Sequence, residues 1–203
     1  MCGRYQAWVD DDELVRIIER EKKGNALRYL RQNEVFPGSS VPVIYGSYAN
    51  VRAHISAWGY TSSGEDMHGR LLINARAESA AVKPLFKNAA SNSVPNERRI
   101  LVLTSGYYEW KEEPGKPKKL RCYIGPGREH SPLLLCGLEC DQPDGTRRHV
   151  ILTTAASGAS AEIHDRMPLI CPREEMRSWL YDTDFALGML RRENDTSLTV
   201  RYA

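Results

Sequence analysis

The second residue of the chain is a cysteine, in Met1-Cys2-Gly3-Arg4-Tyr5, and removal of the initiator methionine would leave its α-amine free beside its thiol. Such a 1,2-aminothiol condenses with aldehydes: the amine forms a Schiff base, and the thiol then closes a five-membered thiazolidine. Reference values of about 7.7–8.0 for an α-amine and about 8.5 for a thiol leave neutral amine and some thiolate at neutral pH. The plain alternative is an arbitrary residue on a frayed terminus.

Three further segments carry groups suited to assist. In Ile73-Asn74-Ala75-Arg76-Ala77-Glu78, Asn74 offers donors and acceptors, Arg76 a fork that fits phosphate and Glu78 a carboxylate. All three share one side if the segment stays extended. The competing reading is a polar strand end whose Arg and Glu pair with each other. Ile163-His164-Asp165-Arg166-Met167-Pro168 sets a potential acid or base before a second guanidinium, against the reading of a structural, hydrogen-bonding histidine. Between these segments, Gly106-Tyr107-Tyr108-Glu109-Trp110 holds a carboxylate among aromatics, either shifted in pKa or facing solvent from a strand.

These groups need a scaffold. Asp10, Asp11 and Asp12 offer caps for a helix with apolar positions at Leu14, Ile17 and Ile18, and Gly24 can end it. Val35 to Tyr45, broken by Pro37, Gly38 and Pro42, reads as a loop leading into a short edge strand that can line a groove. Strands are expected over Ala53–Trp58, Leu71–Asn74, Ile100–Leu103, Leu133–Leu138 and Val150–Thr153, several uniformly apolar and so buried on both faces. The polar, Pro- and Gly-bearing run between Trp110 and Arg121 fits a hairpin loop, with Lys116, Lys118 and Lys119 solvated on it. Pro172 suits the first position of a helix over Arg173–Leu180, and Asp182 can cap Thr183–Leu190. Helices around a strand-rich core are the result.

Composition narrows the field. The 203 residues are 41% hydrophobic, 27% charged and 8% aromatic, with a net charge of +2, which suits one ordinary globular domain with no marked linker, repeat or boundary. No run of about 18 apolar residues is present, so no transmembrane helix is expected, nor an export signal or lipid anchor. A cytoplasmic protein is the expectation. Five cysteines, Cys2, Cys122, Cys136, Cys140 and Cys171, read as reduced and mostly buried thiols. Cys136, Cys140 and His149 have only a vague zinc-like spacing and read as core residues. No Gly-x-Ser-x-Gly elbow, deaminase signature or phosphate loop is present, so neither metal nor cofactor is implied.

Taken together, Met1-Cys2-Gly3-Arg4-Tyr5, Trp58-Gly59, Asn74-Ala75-Arg76-Ala77-Glu78, Lys83-Pro84-Leu85-Phe86, Gly106-Tyr107-Tyr108-Glu109-Trp110-Lys111 and Ile163-His164-Asp165-Arg166-Met167-Pro168 make the sequence resemble the SOS response-associated peptidase family, also known as abasic-site processing proteins. The motifs fall in family order from the start of the chain to about Leu180. The resemblance implies one α+β domain over residues 1–203, with a branched, barrel-like, mostly antiparallel β-sheet and peripheral helices. It implies a groove for single-stranded DNA ending at the mature N-terminal cysteine, a monomer, and action on the nucleoid at damaged DNA. The substrate is then an abasic site, whose open-chain deoxyribose is an aldehyde, and the product is a thiazolidine DNA-protein crosslink.

Carried over by the resemblance, Cys2 is the nucleophile, Asn74 orients the reacting sugar or terminus, Glu109 shuttles protons and His164 assists Schiff-base formation and reversal. Gly3, Arg4, Asn74, Arg76 and Arg166 face DNA, with Pro37, Trp58 and Met167 as apolar or stacking surfaces. Tyr60-Thr61-Ser62-Ser63-Gly64 replaces a proline usual after Trp58-Gly59, and Leu103-Thr104-Ser105-Gly106 replaces a proline and acidic lead into the glutamate motif. The alternative functions are a thiol peptidase acting on itself or others, and a non-catalytic reader of single-stranded or modified DNA.

Overall fold

The computed structural model describes residues 2–7, 11–20, 34–48, 50–61, 71–127, 132–142, 145–194 and 196–202. After β1 (Tyr5–Gln6) and helix α1 (Asp12–Glu19) come β2 (Ser40–Ser47), β3 (Asn50–Trp58), β4 (Tyr60–Thr61) and β5 (Leu71–Leu72), then β6 (Asn74–Arg76), which runs into the one-turn helix α2 (Ala77–Ala80). Helix α3 (Lys87–Ser91) precedes β7 (Glu97–Thr104), β8 (Gly106–Lys111), β9 (Leu120–Pro126), β10 (Leu133–Asp141) and β11 (Arg147–Ala155). The last third holds α4 (Gly158–Ala161), β12 (Arg166–Pro168), β13 (Ile170–Cys171), a 3-10 turn (Arg173–Glu175), α5 (Met176–Tyr181), α6 (Thr183–Met189) and β14 (Leu198–Tyr202).

The larger sheet runs β12-β11-β3-β2-β7-β10-β13, with β6 also on β11 and a further pairing of β10 with β11. Hydrogen bonds therefore close a ring through five strands: β2, β3, β7, β10 and β11. The closing contact of β11 with β3 is parallel and joins only Arg148 to Ala57 and His149 to Trp58, which makes this a ring within a branched sheet and not a true barrel. The α+β, mostly antiparallel architecture expected above is borne out. A second sheet, β1-β8-β9-β14, stands apart.

Alternation explains the uniformly apolar strands. On β7, Leu101 and Leu103 join a core beneath the helices, while Ile100 and Val102 join a second core that contains Cys2, Tyr5, Trp58 and Tyr107. On β10, Leu134, Cys136 and Leu138 face the first core, and Leu133 and Leu135 the second. Side chains on a strand point alternately to opposite faces, so a strand buried on both faces must be apolar throughout.

Helix α1 forms as expected: Asp11 accepts from the backbone of Glu13 and Leu14 at 3.1 and 3.0 Å, and Leu14, Ile17 and Ile18 are buried. Asp10 and Gly24, like Ser62, Ser63 and Gly64, lie outside the described residues. Two expectations need correction. β2 is a central strand, paired with β3 over its whole length and with β7 from Val43 to Tyr45. Pro42 precedes the start of that second pairing, where a missing N–H is tolerated. The segment Asn74–Glu78 does not stay extended, because the chain turns into α2 after Arg76 and places Glu78 on a helix. Gly59 adopts φ +115° as the chain leaves β3, a conformation that glycine reaches without strain. The hairpin expected after Trp110 joins β8 to β9, and Asp182 caps α6 by accepting from Phe185 N at 3.0 Å. Pro172 stands one residue earlier than expected, before the 3-10 turn that leads into α5.

Candidate active site

Cys2 is not frayed. The segment from Cys2 to Gln6 is held on both sides: Tyr5 exchanges backbone hydrogen bonds with Val35 at 2.8 and 3.3 Å, and Tyr108 N donates to the Arg4 carbonyl at 2.9 Å. Residues Tyr5 and Gln6 pair with Tyr107 and Gly106 of β8. Cys2 is fully buried, and its carbonyl accepts from Asn74 Nδ2 at 2.8 Å. Burial pushes the Cys2 thiol well above its ordinary value, and the nearby Glu109 carboxylate adds to the rise. A buried thiol beside a carboxylate keeps its proton, so it needs a base at the moment of attack.

Asn74 opens β6, where it pairs with Ile151 of β11, and this parallel strand delivers its amide to the cysteine. The side chain is 8% exposed, and its Oδ1 has no hydrogen-bond partner among the described residues. An amide acceptor left open in a buried site is free to meet a ligand donor.

Alternation along β8 places the rest. Tyr107 and Glu109 share one face and are buried, while Tyr108 and Trp110 lie on the other, where Arg121 covers the Tyr108 ring and Arg4 the Trp110 ring. Gly106 lets the strand start beneath Tyr123, since a Cβ there would collide with the Ile124 carbonyl and the Tyr123 ring. Burial raises Glu109 above the usual carboxylate range, and the terminal amine, followed by the His164 charge, offsets part of that rise. The carboxylate therefore faces inward and is shifted, as one of the two sequence readings had it.

His164 follows α4, its backbone N–H donating to Ser160 O at 3.1 Å. Its Nδ1 lies 3.0 Å from Arg166 N and 2.6 Å from Asp165 Oδ1. One ring nitrogen cannot serve both: as a lone pair it accepts from the Arg166 N–H, and once protonated it donates to the Asp165 carboxylate. The ring thus has a ready partner in each protonation state.

The expected DNA-facing residues fall into separate groups. Arg166 makes a two-pronged ion pair with Glu78, at 2.7 and 2.9 Å, and also donates to Thr153 O at 2.5 Å. Arg166, with Arg76 beside it, pulls Glu78 below the usual carboxylate range. Glu78 thus pairs with Arg166, not with its neighbour Arg76. Arg4 belongs to another cluster, 3.1 Å from Glu34, with its guanidinium 4.4 Å from the ring centre of exposed Phe36; Arg121 also pairs with Glu34. Pro37 is exposed in the turn beside Phe36, and Gly3 is half-buried.

Trp58 and Met167 do not offer surfaces for stacking. Trp58 is fully buried, 5.1 Å from the Tyr5 ring, with its indole N–H donated to Ile73 O at 2.9 Å, and Met167 is 1% exposed. A Trp-Gly motif gives no indication of whether the indole lies on a groove or beneath it. Sequence reasoning also missed Glu34, Phe36 and Ser160 as parts of the site. Only the aromatic character of Phe36 could have drawn attention to it. Lys116 and Lys119 sit on the exposed hairpin loop and pair with Glu113 and Glu112.

Chemically, the second sheet brings the cysteine and a buried carboxylate, and the larger sheet brings an amide and a histidine turn. The family model described as SOS response associated peptidase matches residues 1–201. The chain is 29% identical over 184 residues to the abasic site processing protein YedK of Escherichia coli, covering 89% of this chain and 79% of that protein. It is 25% identical over 202 residues to the abasic site processing protein YoqW of Bacillus subtilis, covering 94% and 87%. Among solved structures, a protein from Bacteroides thetaiotaomicron superposes with a TM-score of 0.75 at 20% identity, covering 99% of this chain and 91% of that one. A phage-related protein from Bordetella bronchiseptica gives a TM-score of 0.74 at 25% identity, covering 100% and 94%.

Proposed function

The chain belongs to the SOS response associated peptidase family, and from that premise we propose that it processes abasic sites in single-stranded DNA by forming a covalent thiazolidine between mature Cys2 and the sugar aldehyde. The observation that carries the reading is the treatment of Cys2: a residue next to the chain start is fully buried, with its carbonyl clamped by Asn74 and its thiol beside Glu109. The named relatives supply the substrate class.

Hydrolysis of the Met1–Cys2 amide releases methionine and frees the amine. The neutral amine adds to the aldehyde carbon, and the resulting carbinolamine loses water to give a Schiff base. The thiol sulfur then bonds to that carbon as its proton is passed to the ring nitrogen, so the whole condensation releases one water. Glu109, raised by burial, is placed to take a proton from the amine or thiol. His164 protonates the departing sugar oxygen and, on reversal, takes that proton back from the adding water, with Nδ1 held by Arg166 N or Asp165 in its two states. Asn74 holds the cysteine in place so that both nucleophilic atoms meet one carbon.

Phosphates are assigned to Arg4, Arg76 and Arg166, with Phe36, Pro37 and Trp110 along the approach. Arg166 must exchange Glu78 for phosphate to take part. The test is crosslinking of mature protein to an abasic oligonucleotide without borohydride. Wild type should give a heat-stable complex and Cys2→Ala none; a Cys2→Ala complex of equal stability would reject the thiazolidine.

A further inference from the structure

The site lies on a seam. Cys2 lies in the segment that leads into β1 and Glu109 on β8, both strands of the sheet β1-β8-β9-β14, whereas Asn74 sits on β6 of the larger sheet and His164 between α4 and β12, which is also part of it. Two of the buried side-chain hydrogen bonds that cross the seam bear on these residues. One joins Asn74 to the Cys2 carbonyl at 2.8 Å. The other joins Tyr107 Oη to Ser160 Oγ at 2.8 Å, between a fully buried tyrosine and a serine 1% exposed.

Each end of this second bond is tied to a reacting group. Tyr107 lies two residues before Glu109 on the same face of β8, and Tyr5, three residues beyond Cys2, pairs with it. Ser160 gives its carbonyl to the backbone N–H groups of Ile163 and His164, at 3.0 and 3.1 Å, and so shapes the turn that presents the imidazole. A phenylalanine and an alanine would fill the same space in a core and leave no buried polar group to satisfy. Two buried hydroxyls that meet each other add direction, not apolar area.

We propose that Tyr107 and Ser160 are a positioning pair that fixes the Glu109 carboxylate relative to the His164 ring. Neither hydroxyl is assigned a proton in the chemistry. The inference rests on the thiazolidine reading for its consequence and on the seam geometry for its existence.

The test combines rates with a titration. Tyr107→Phe, Ser160→Ala and the double variant are made as mature protein, and single-turnover crosslinking is measured at saturating abasic oligonucleotide, beside the affinity for undamaged single strands. Each single variant should lose about tenfold or more in rate with unchanged affinity, and the double variant should lose no more than the worse single. Rates equal to wild type, or losses that multiply, would overturn the pairing. An independent readout is the Glu109 carboxyl titration by 13C NMR without DNA. His164→Ala should raise its midpoint, because the His164 charge lowers it, and should raise it less in the Tyr107→Phe background. An equal rise in both backgrounds would refute the positioning role. Should wild type itself fail to crosslink, the thiazolidine reading falls and the titration still decides the pair.

Discussion

Replacing Asn74 by Asp keeps the side-chain shape and removes the donor to the Cys2 carbonyl. Nδ2 donates to the Cys2 carbonyl at 2.8 Å from a side chain 8% exposed, so the variant sets an ionised oxygen against a buried carbonyl that has lost its partner. Leaving a buried acceptor unsatisfied costs about 1–3 kcal/mol, which corresponds to about 2–12 °C in Tm for a domain of this size. The same energy lost from the transition state is roughly a 5- to 150-fold fall in rate. The sign with pH follows from linkage. The new carboxyl is penalised when charged, so its folded pKa lies above the reference value of about 3.9. Stability is then fully present below that reference, where the protonated acid can donate to the Cys2 carbonyl, and is lost as pH rises through the folded value. Thermal melts between about pH 4 and pH 8, together with single-turnover crosslinking, measure both effects. A variant with wild-type Tm and wild-type rate at neutral pH would refute the view that this bond holds Cys2 for reaction.

Glu109→Gln should raise Tm at neutral pH while slowing crosslinking. Burial raises the folded pKa of Glu109, so its ionisation costs stability as pH rises through that value, and the crosslinking rate should recover at high pH as the amine deprotonates unaided. Arg76→Ala should reduce the magnitude of the salt slope for undamaged single strands by about 0.7, and Glu78→Gln, which releases Arg166 from its carboxylate, should increase it by a similar amount; filter binding over a salt series reads both. Burial pushes His149 down to about 4, so it is neutral when folded. Stability of order 3 kcal/mol should be lost as pH falls from about 6.5 to about 4, and His149→Gln should flatten that part of a denaturant-derived stability profile.

The strand core is legible in the sequence because its strands are buried on both faces. Ile100, Leu101, Val102 and Leu103 are all apolar, since alternate members serve different cores. Helix α1 is legible through its cap and its spacing, both local properties. The strand β2 is misread because Pro42 carries a local signal for an edge, while the position where β7 begins to pair with β2 is a property of the whole sheet. The residue types of the candidate site can be named from their motifs. What no motif encodes is the seam: that Tyr107 meets Ser160 across 53 residues, or that Glu78 pairs with Arg166 across 88 and not with its neighbour. The burial of Trp58 belongs to the same class, since an indole can serve equally as a floor or as a stacking face until its neighbours are known.

Intact mass spectrometry of the protein, alone and after incubation with an abasic single-stranded oligonucleotide, tests the central claim most directly. The account predicts a chain lacking Met1, and then an adduct equal to that chain plus the oligonucleotide minus one water, absent from Cys2→Ala. A mature chain that gives no adduct, or a Cys2→Ala variant that gives the same unreduced, heat-stable adduct, would contradict it.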